Sequence, residues 1–185
     1  MSGLLKPSKV FLFLFLSILF CSQTIISQEL YWVGGSGSWD DPAHWSETSG
    51  GPGGAGVPGP ADDVSFDDRS FTESGQTVKI KGEAVCNDLI WKTSSQPAAL
   101  KSRSFIFNAW TWAELRVHGS LIFQGEMIND FHGDILLKEG KTERTLQVSQ
   151  PLHSDLIIDA GEGSIELQSD LNTGGDIRIA SGAFL

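Results

Sequence analysis

From residue 134 to the C-terminus, apolar and polar positions alternate in short runs that recur every 21 residues. Ile135 and Leu137, Leu156 and Ile158, and Ile177 and Ile179 stand two apart, so the period-2 geometry of a strand sends both members of each pair to one face. The position between them holds Leu136, Ile157 and then Arg178. An arginine there assigns that column to the outside and the flanking columns to the interior. Each run opens on an aspartate (Asp134, Asp155, Asp176) and has a glycine six residues later (Gly140, Gly161, Gly182), while Leu146-Gln147 recurs as Leu167-Gln168. A second alternation, Leu146 with Val148 and Ile165 with Leu167, supplies another strand per repeat. A period of about 20 residues made of short strands predicts a solenoid, in which each repeat is one coil and a core exists only by stacking neighbours.

Upstream, Thr77–Lys81, Cys86–Trp91, Ser104–Phe107 and Leu115–Phe123 are predicted strands at irregular spacing, the first and less regular coils. No window of the mature chain sustains apolar residues at i, i+3, i+4 and i+7, so the chain is expected to be all-β. Its N-terminal end requires a cap, because an open sheet edge pairs with other chains. The predicted organisation is therefore a leader over 1–28, a Trp/Gly-rich cap segment over 29–76 and coils over 77–185.

The leader follows from Lys6 and Lys9, the apolar run from Val10 to Phe20 and the polar stretch after it. These are the parts of a secretory signal peptide, cleaved near Ser27 or Gln28. Its apolar run is too short to span a bilayer, which takes about 20 residues, so no membrane span is expected in the mature chain. Without the leader, 11 basic and 23 acidic residues remain, a net charge of −12. Such a surface repels phosphate backbones and argues against nucleic acid as a partner. Cys86 is then the single cysteine, so stability has to come from stacking rather than from an internal disulfide. The repeat is still running at Gly182 when the chain stops at Phe184-Leu185, which predicts the N-terminal piece of a longer protein or a truncated reading frame.

Residues 31–71 have a different texture. Trp32-Val-Gly-Gly-Ser-Gly-Ser-Trp39 leads into Asp41-Pro-Ala-His-Trp45, then a Gly/Pro tract from Gly50 to Pro60, then Asp63-Val-Ser-Phe-Asp67. Three tryptophans among turn-forming glycines suit a lid, since each buries about 150–250 Å² when interior and glycine permits the tight turns between them. The glycine tract lacks the Lys-Ser/Thr of a phosphate loop and is expected to be a flexible surface excursion. Over about 40 residues this segment resembles the opening of large exported bacterial surface proteins, both autotransporter-like passengers and adhesin-like proteins sent through type IX secretion. What the resemblance implies is a cap feeding a right-handed parallel β-helix, usually followed by more repeats and a C-terminal sorting or anchoring domain. With the leader and the register of about 21 residues per coil, the expectation is a non-enzymatic adhesin-type role outside the cell. A surface glycan or a host or matrix protein would be the partner.

The alternative is a carbohydrate-active β-helix enzyme or glycan-binding module, because tryptophan faces also stack on sugars. Trp110 and Trp112, on one face by strand alternation, are its candidate ligand-binding residues. No catalytic constellation is legible: the histidines at 44, 118, 132 and 153 have no zinc-like spacing, and no Ser-His-Asp or Cys-His arrangement stands out. No cofactor or metal site is expected. Asp62, Asp63, Asp67 and Asp68 form an acidic run that departs from calcium-loop spacing and reads as a solvated turn. The Asp134, Asp155, Asp176 column likewise reads as turn carboxylates accepting backbone N–H groups.

Overall fold

Inward and outward positions alternate along the strands of the computed structural model, which describes residues 27–93, 96–102 and 112–185. Within these residues the protein is all-β, and its one helical element is a 3-10 turn at Pro42–His44. The chain begins with β1 (Glu29–Trp32), β2 (Gly37–Ser38), β3 (Trp45–Ser46) and β4 (Asp63–Phe66). Three triplets follow: β5 (Thr77–Ile80), β6 (Glu83–Cys86) and β7 (Leu89–Thr93); β8 (Ala99–Ser102), β9 (Glu114–Val117) and β10 (Leu121–Gly125); β11 (Ile128–Asp130), β12 (Asp134–Lys138) and β13 (Glu143–Val148). Two long strands, β14 (Leu156–Leu167) and β15 (Ile177–Phe184), complete it.

These strands form a large, mostly parallel, curled sheet of eleven strands and a smaller parallel sheet of four. Three parallel ladders make up the two sheets. The first runs β6, β9, β12 and the opening residues of β14 and β15. The second runs β1, β4, β7, β10, β13 and the closing residues of β14 and β15, with β3 antiparallel on the outer side of β1. The third is the small sheet, β2, β5, β8 and β11, continued by an isolated bridge between Leu152 and Thr173. Each triplet visits the third, first and second ladders in that order, and β14 is long enough to belong to two of them.

The register stacks like on like. Ala84, Leu115, Ile135, Leu156 and Ile177 are aligned in the first ladder, and Leu30, Val64, Leu89, Leu121, Leu146 and Leu167 in the second. The predicted inward pairs Ile135/Leu137 and Leu156/Ile158 are fully buried, with Leu136 and Ile157 between them half-buried on the outer face. Ile177 and Ile179 occupy the same columns yet are 45% and 57% exposed, since no described strand lies beyond β15.

Two predicted strands prove to be two strands each. The run Cys86–Trp91 turns at Asn87-Asp88 from the first ladder into the second, and Leu115–Phe123 turns at His118–Ser120. The corners hold each other: the Asp88 carboxylate accepts the Ser120 amide at 2.7 Å, and a Cβ on Gly119 would overlap that carboxylate. Apolar periodicity is blind to such corners because the inward positions on either side remain apolar. The run Ser104–Phe107 lies outside the described residues, as does the leader up to residue 26. The segment expected as a cap also lends β1, β2 and β4 to the ladders.

Candidate functional site

The Trp/Gly entry segment is consumed by packing. Trp32, Trp39 and Trp45 are buried, and with Phe66, Phe71 and Trp91 they close one end of the core. Trp45 meets Trp32 and Trp39 edge-on at 5.1 and 4.9 Å, and Phe66 stacks on Trp91 at 4.2 Å. Each buried indole is worth roughly 4–6 kcal/mol in transfer terms. Two indole N–H groups find carbonyls, Trp32 donating to Gly35 at 2.7 Å and Trp45 to Trp39 at 2.8 Å. Gly35 sits at φ +76°, where a side chain is strained, and it lets the chain fold back over Trp32. A sugar platform on these three tryptophans is thereby ruled out.

The glycine tract is not the free excursion expected of it. Gly54 and Ala55 donate backbone hydrogen bonds to the carbonyls of Pro42 and Trp45 at 2.9 and 3.0 Å, and Gly53 packs so closely on the Ala43 carbonyl that a Cβ would overlap it. The motif Asp-Pro-Ala-His-Trp is the matching half of this contact. Asp41 caps the 3-10 turn by accepting the Ala43 amide at 2.9 Å.

The acidic run at 62–68 is employed in turns. Asp62 accepts the amides of Gln28 and Gly59, Asp63 accepts the Asn87 side-chain amide at 2.6 Å and the Asp88 amide at 3.2 Å, and Asp67 accepts the Arg69 amide at 2.9 Å. These carboxylates are thus engaged as turn acceptors, and Asp63 ties its circuit to the next through Asn87 and Asp88. The repeated aspartates extend a longer column, Glu83, Glu114, Asp134, Asp155 and Asp176. Arg116 joins Glu83 at 3.0 Å and Glu114, and Arg178 joins Asp155 at 3.6 Å and Asp176 at 3.4 Å. Asp155 also accepts the Asp176 amide at 2.9 Å, the contact expected of a turn carboxylate. Two arginines across five acids offset a repulsion worth about 1 kcal/mol per pair in water.

Of the two predicted ligand-binding residues, Trp110 lies outside the described residues and Trp112 is 58% exposed. Trp112 stands three residues ahead of Leu115, as His132 stands ahead of Ile135 and His153 ahead of Leu156. Those three core residues are register partners in the first ladder. Trp112, His132 and His153 therefore succeed one another on the corner that enters this ladder. The two imidazoles are stacked, centroids 5.3 Å apart and planes inclined by 23°, and both histidines are exposed. Asp130 touches the His132 Nε2 at 3.2 Å and Lys101 at 3.3 Å. In the sequence His132 and His153 are 21 residues apart and lack zinc-like spacing, so nothing there singles them out. The missed signal is Trp112-Ala-Glu-Leu-Arg-Val117, which is the motif His132-Gly-Asp-Ile-Leu-Leu137 with glutamate in place of aspartate.

Elsewhere, a cleft of about 750 Å³ opens beside β13–β15 between Glu143, Thr145, Ser164, Glu166 and Leu185. Next to it the Arg144 guanidinium is 4% exposed; Nη1 donates to the Lys138 carbonyl, while Nε and Nη2 are without partners. Burial lowers its pKa from the ordinary arginine value. Cys86 is a buried free thiol, held well above the usual thiol range by burial and then by Asp88 and Asp63, so it is not poised as a nucleophile. Among the described residues no group of three His, Cys, Asp or Glu is arranged to hold a metal ion, and no helix is long and apolar enough to cross a membrane. Comparison with protein-family models, with curated proteins and with solved structures finds no match for the chain.

Proposed function

We propose that this chain is a non-enzymatic, exported surface or secreted binding protein of adhesin type, built as a right-handed parallel β-helix behind an N-terminal cap. The observation that carries the reading is the fate of the entry motif. Its tryptophans, glycines and histidine are spent on a buried lid over one end of three stacked ladders, which is what a terminal cap has to do. The ladders, visited in one cyclic order, support the β-helix half of the reading. The leader and the net charge of −12 after its removal support export and a soluble outer face.

Export is tested by expressing the full chain in a Gram-negative host and following its N-terminus by mass spectrometry and its location by fractionation. Cleavage near Ser27 or Gln28 and recovery outside the cytoplasm are expected. An uncleaved chain retained in the cytoplasm overturns the reading.

A second reading, a glycan-binding module, is favoured by one observation. Trp112 leaves more than half of its surface in water, although the described tryptophans of the entry segment and Trp91 are buried.

A further inference from the structure

We infer that the corner entering the first ladder is a saccharide-binding stripe formed by Trp112, His132 and His153, a step that rests on the glycan-binding reading. The first support is alignment. Each residue precedes by three a core residue of the same column, Leu115, Ile135 and Leu156. Successive circuits of a parallel ladder lie about 4.8 Å apart, so three flat rings follow one another along the stack. Two of them are seen stacked, at 5.3 Å and 23°.

The second support is that these rings face water. Trp112 is 58% exposed and both histidines are exposed, while the tryptophans of the capping end are buried. An exposed indole in line with exposed imidazoles is not required by the core, which is closed by Leu115, Ile135 and Leu156 behind them.

The third support is the rim. Lys81 occupies the same column one circuit earlier, three residues ahead of Ala84, and the ion pair of Lys101 with Asp130 flanks His132. An exposed indole in line with imidazole edges and flanked by donors and an acceptor matches a pyranose ring, whose axial C–H face is apolar and whose rim is hydroxyl. A protein partner is matched less well, since it calls for a broader apolar patch than three rings with charged flanks. A transition-metal ion is disfavoured because the Nε2 of His132 is engaged by Asp130.

The test uses the purified full chain on an array of neutral and acidic oligosaccharides, with hits quantified by isothermal titration calorimetry. Trp112→Ala and the double change His132→Ala/His153→Ala are each expected to weaken binding by about tenfold or more, the scale of a lost ring stack. Circular dichroism and melting temperature should stay at the wild-type values, because none of the three is core. Loss confined to Trp112→Ala overturns the stripe and leaves the glycan-binding reading standing. Binding untouched by every variant overturns the stripe by moving the site elsewhere. Failure of the wild-type chain to bind any saccharide overturns both.

Discussion

The imidazole of His44 lies flat on the indole of Trp32, ring centroids 4.7 Å apart and planes only 6° from parallel, with Nδ1 2.7 Å from the Val33 carbonyl. This contact explains the spacing of the entry motif. The histidine reaches back over the turn that Gly34 and Gly35 make, and Gly37 passes so near its ring that a Cβ would overlap it. His44→Ala is expected to cost about 1–3 kcal/mol, from a lost ring contact and a lost hydrogen bond. Gly37→Ala should be comparably damaging by displacing the ring. Thermal melts followed by circular dichroism check both, and a melting temperature unchanged in either variant contradicts the lid.

The inward assignment of the first ladder separates two neighbouring residues. Leu156 is fully buried in the column between Ile135 and Ile177, whereas Ile157 is half-buried on the outer face. Leu156→Asp should destabilise by several kcal/mol, on the order of the cost of burying an unpaired carboxylate. Ile157→Asp should lower stability far less. Equal shifts in urea midpoint for the two variants would contradict the column.

Arg144 stands in an inward position between Leu146 and the corner, where its stacking neighbour in β14 is Ile165. Its burial brings one hydrogen bond and no facing carboxylate, and desolvating an ion costs several kcal/mol, more than the roughly 1.5–3 kcal/mol that one bond from a charged donor returns. Arg144→Met should therefore raise the melting temperature by a few degrees, at about 2–4 °C per kcal/mol for a domain of this size. A lower melting temperature would show that the guanidinium stabilises the corner.

Calcium should matter little. Asp62, Asp63 and Asp67 already accept amide hydrogens, and a site with a dissociation constant near 1 mM adds only about 0.4 kcal/mol at roughly 1 mM ion. Melts with millimolar calcium and with chelator should nearly coincide. A difference above about 5 °C, which implies more than a kcal/mol, would make the acidic run a structural metal site.

Acid should act on the outer face. The Lys138 ammonium, 2.5 Å from Asp159, and then the Ser181 hydroxyl hold the Asp159 carboxyl below its ordinary range. Asp130 is also lowered: partial burial opposes the shift, but Lys101 and His132 outweigh it. A carboxyl depressed in the folded state contributes stability that is present above its unfolded pKa of about 3.9 and is lost as pH falls through the folded value. Lys138→Met should thus melt below wild type at pH 7, with the gap closing as the pH drops below about 4. A gap independent of pH would remove the pair from the account.

The strands with like neighbours were legible because their determinants are local. Alternation places Ile135 and Leu137 on one face whatever surrounds them, and repetition at 21 residues places Leu156 and Ile177 in line with Ile135. The bulk of Trp32, Trp39 and Trp45 among glycines likewise marked a lid, since such area has to be buried somewhere.

What depended on residues far apart in the chain was decided only by the tertiary structure. The corners at Asn87-Asp88 and His118–Ser120 exist because one circuit's carboxylate caps the next circuit's amide, across a sequence separation of 32 residues. The glycine tract is laid down by Ala43 and Trp45 rather than by any property of its own. The first ladder aligns unequal circuits: Ala84 to Leu115 spans 31 residues and Leu115 to Ile135 spans 20, yet all three are register partners. Hydrogen-bonded ladders fix alignment by pairing backbone groups, so sequence distance ceases to measure spatial distance.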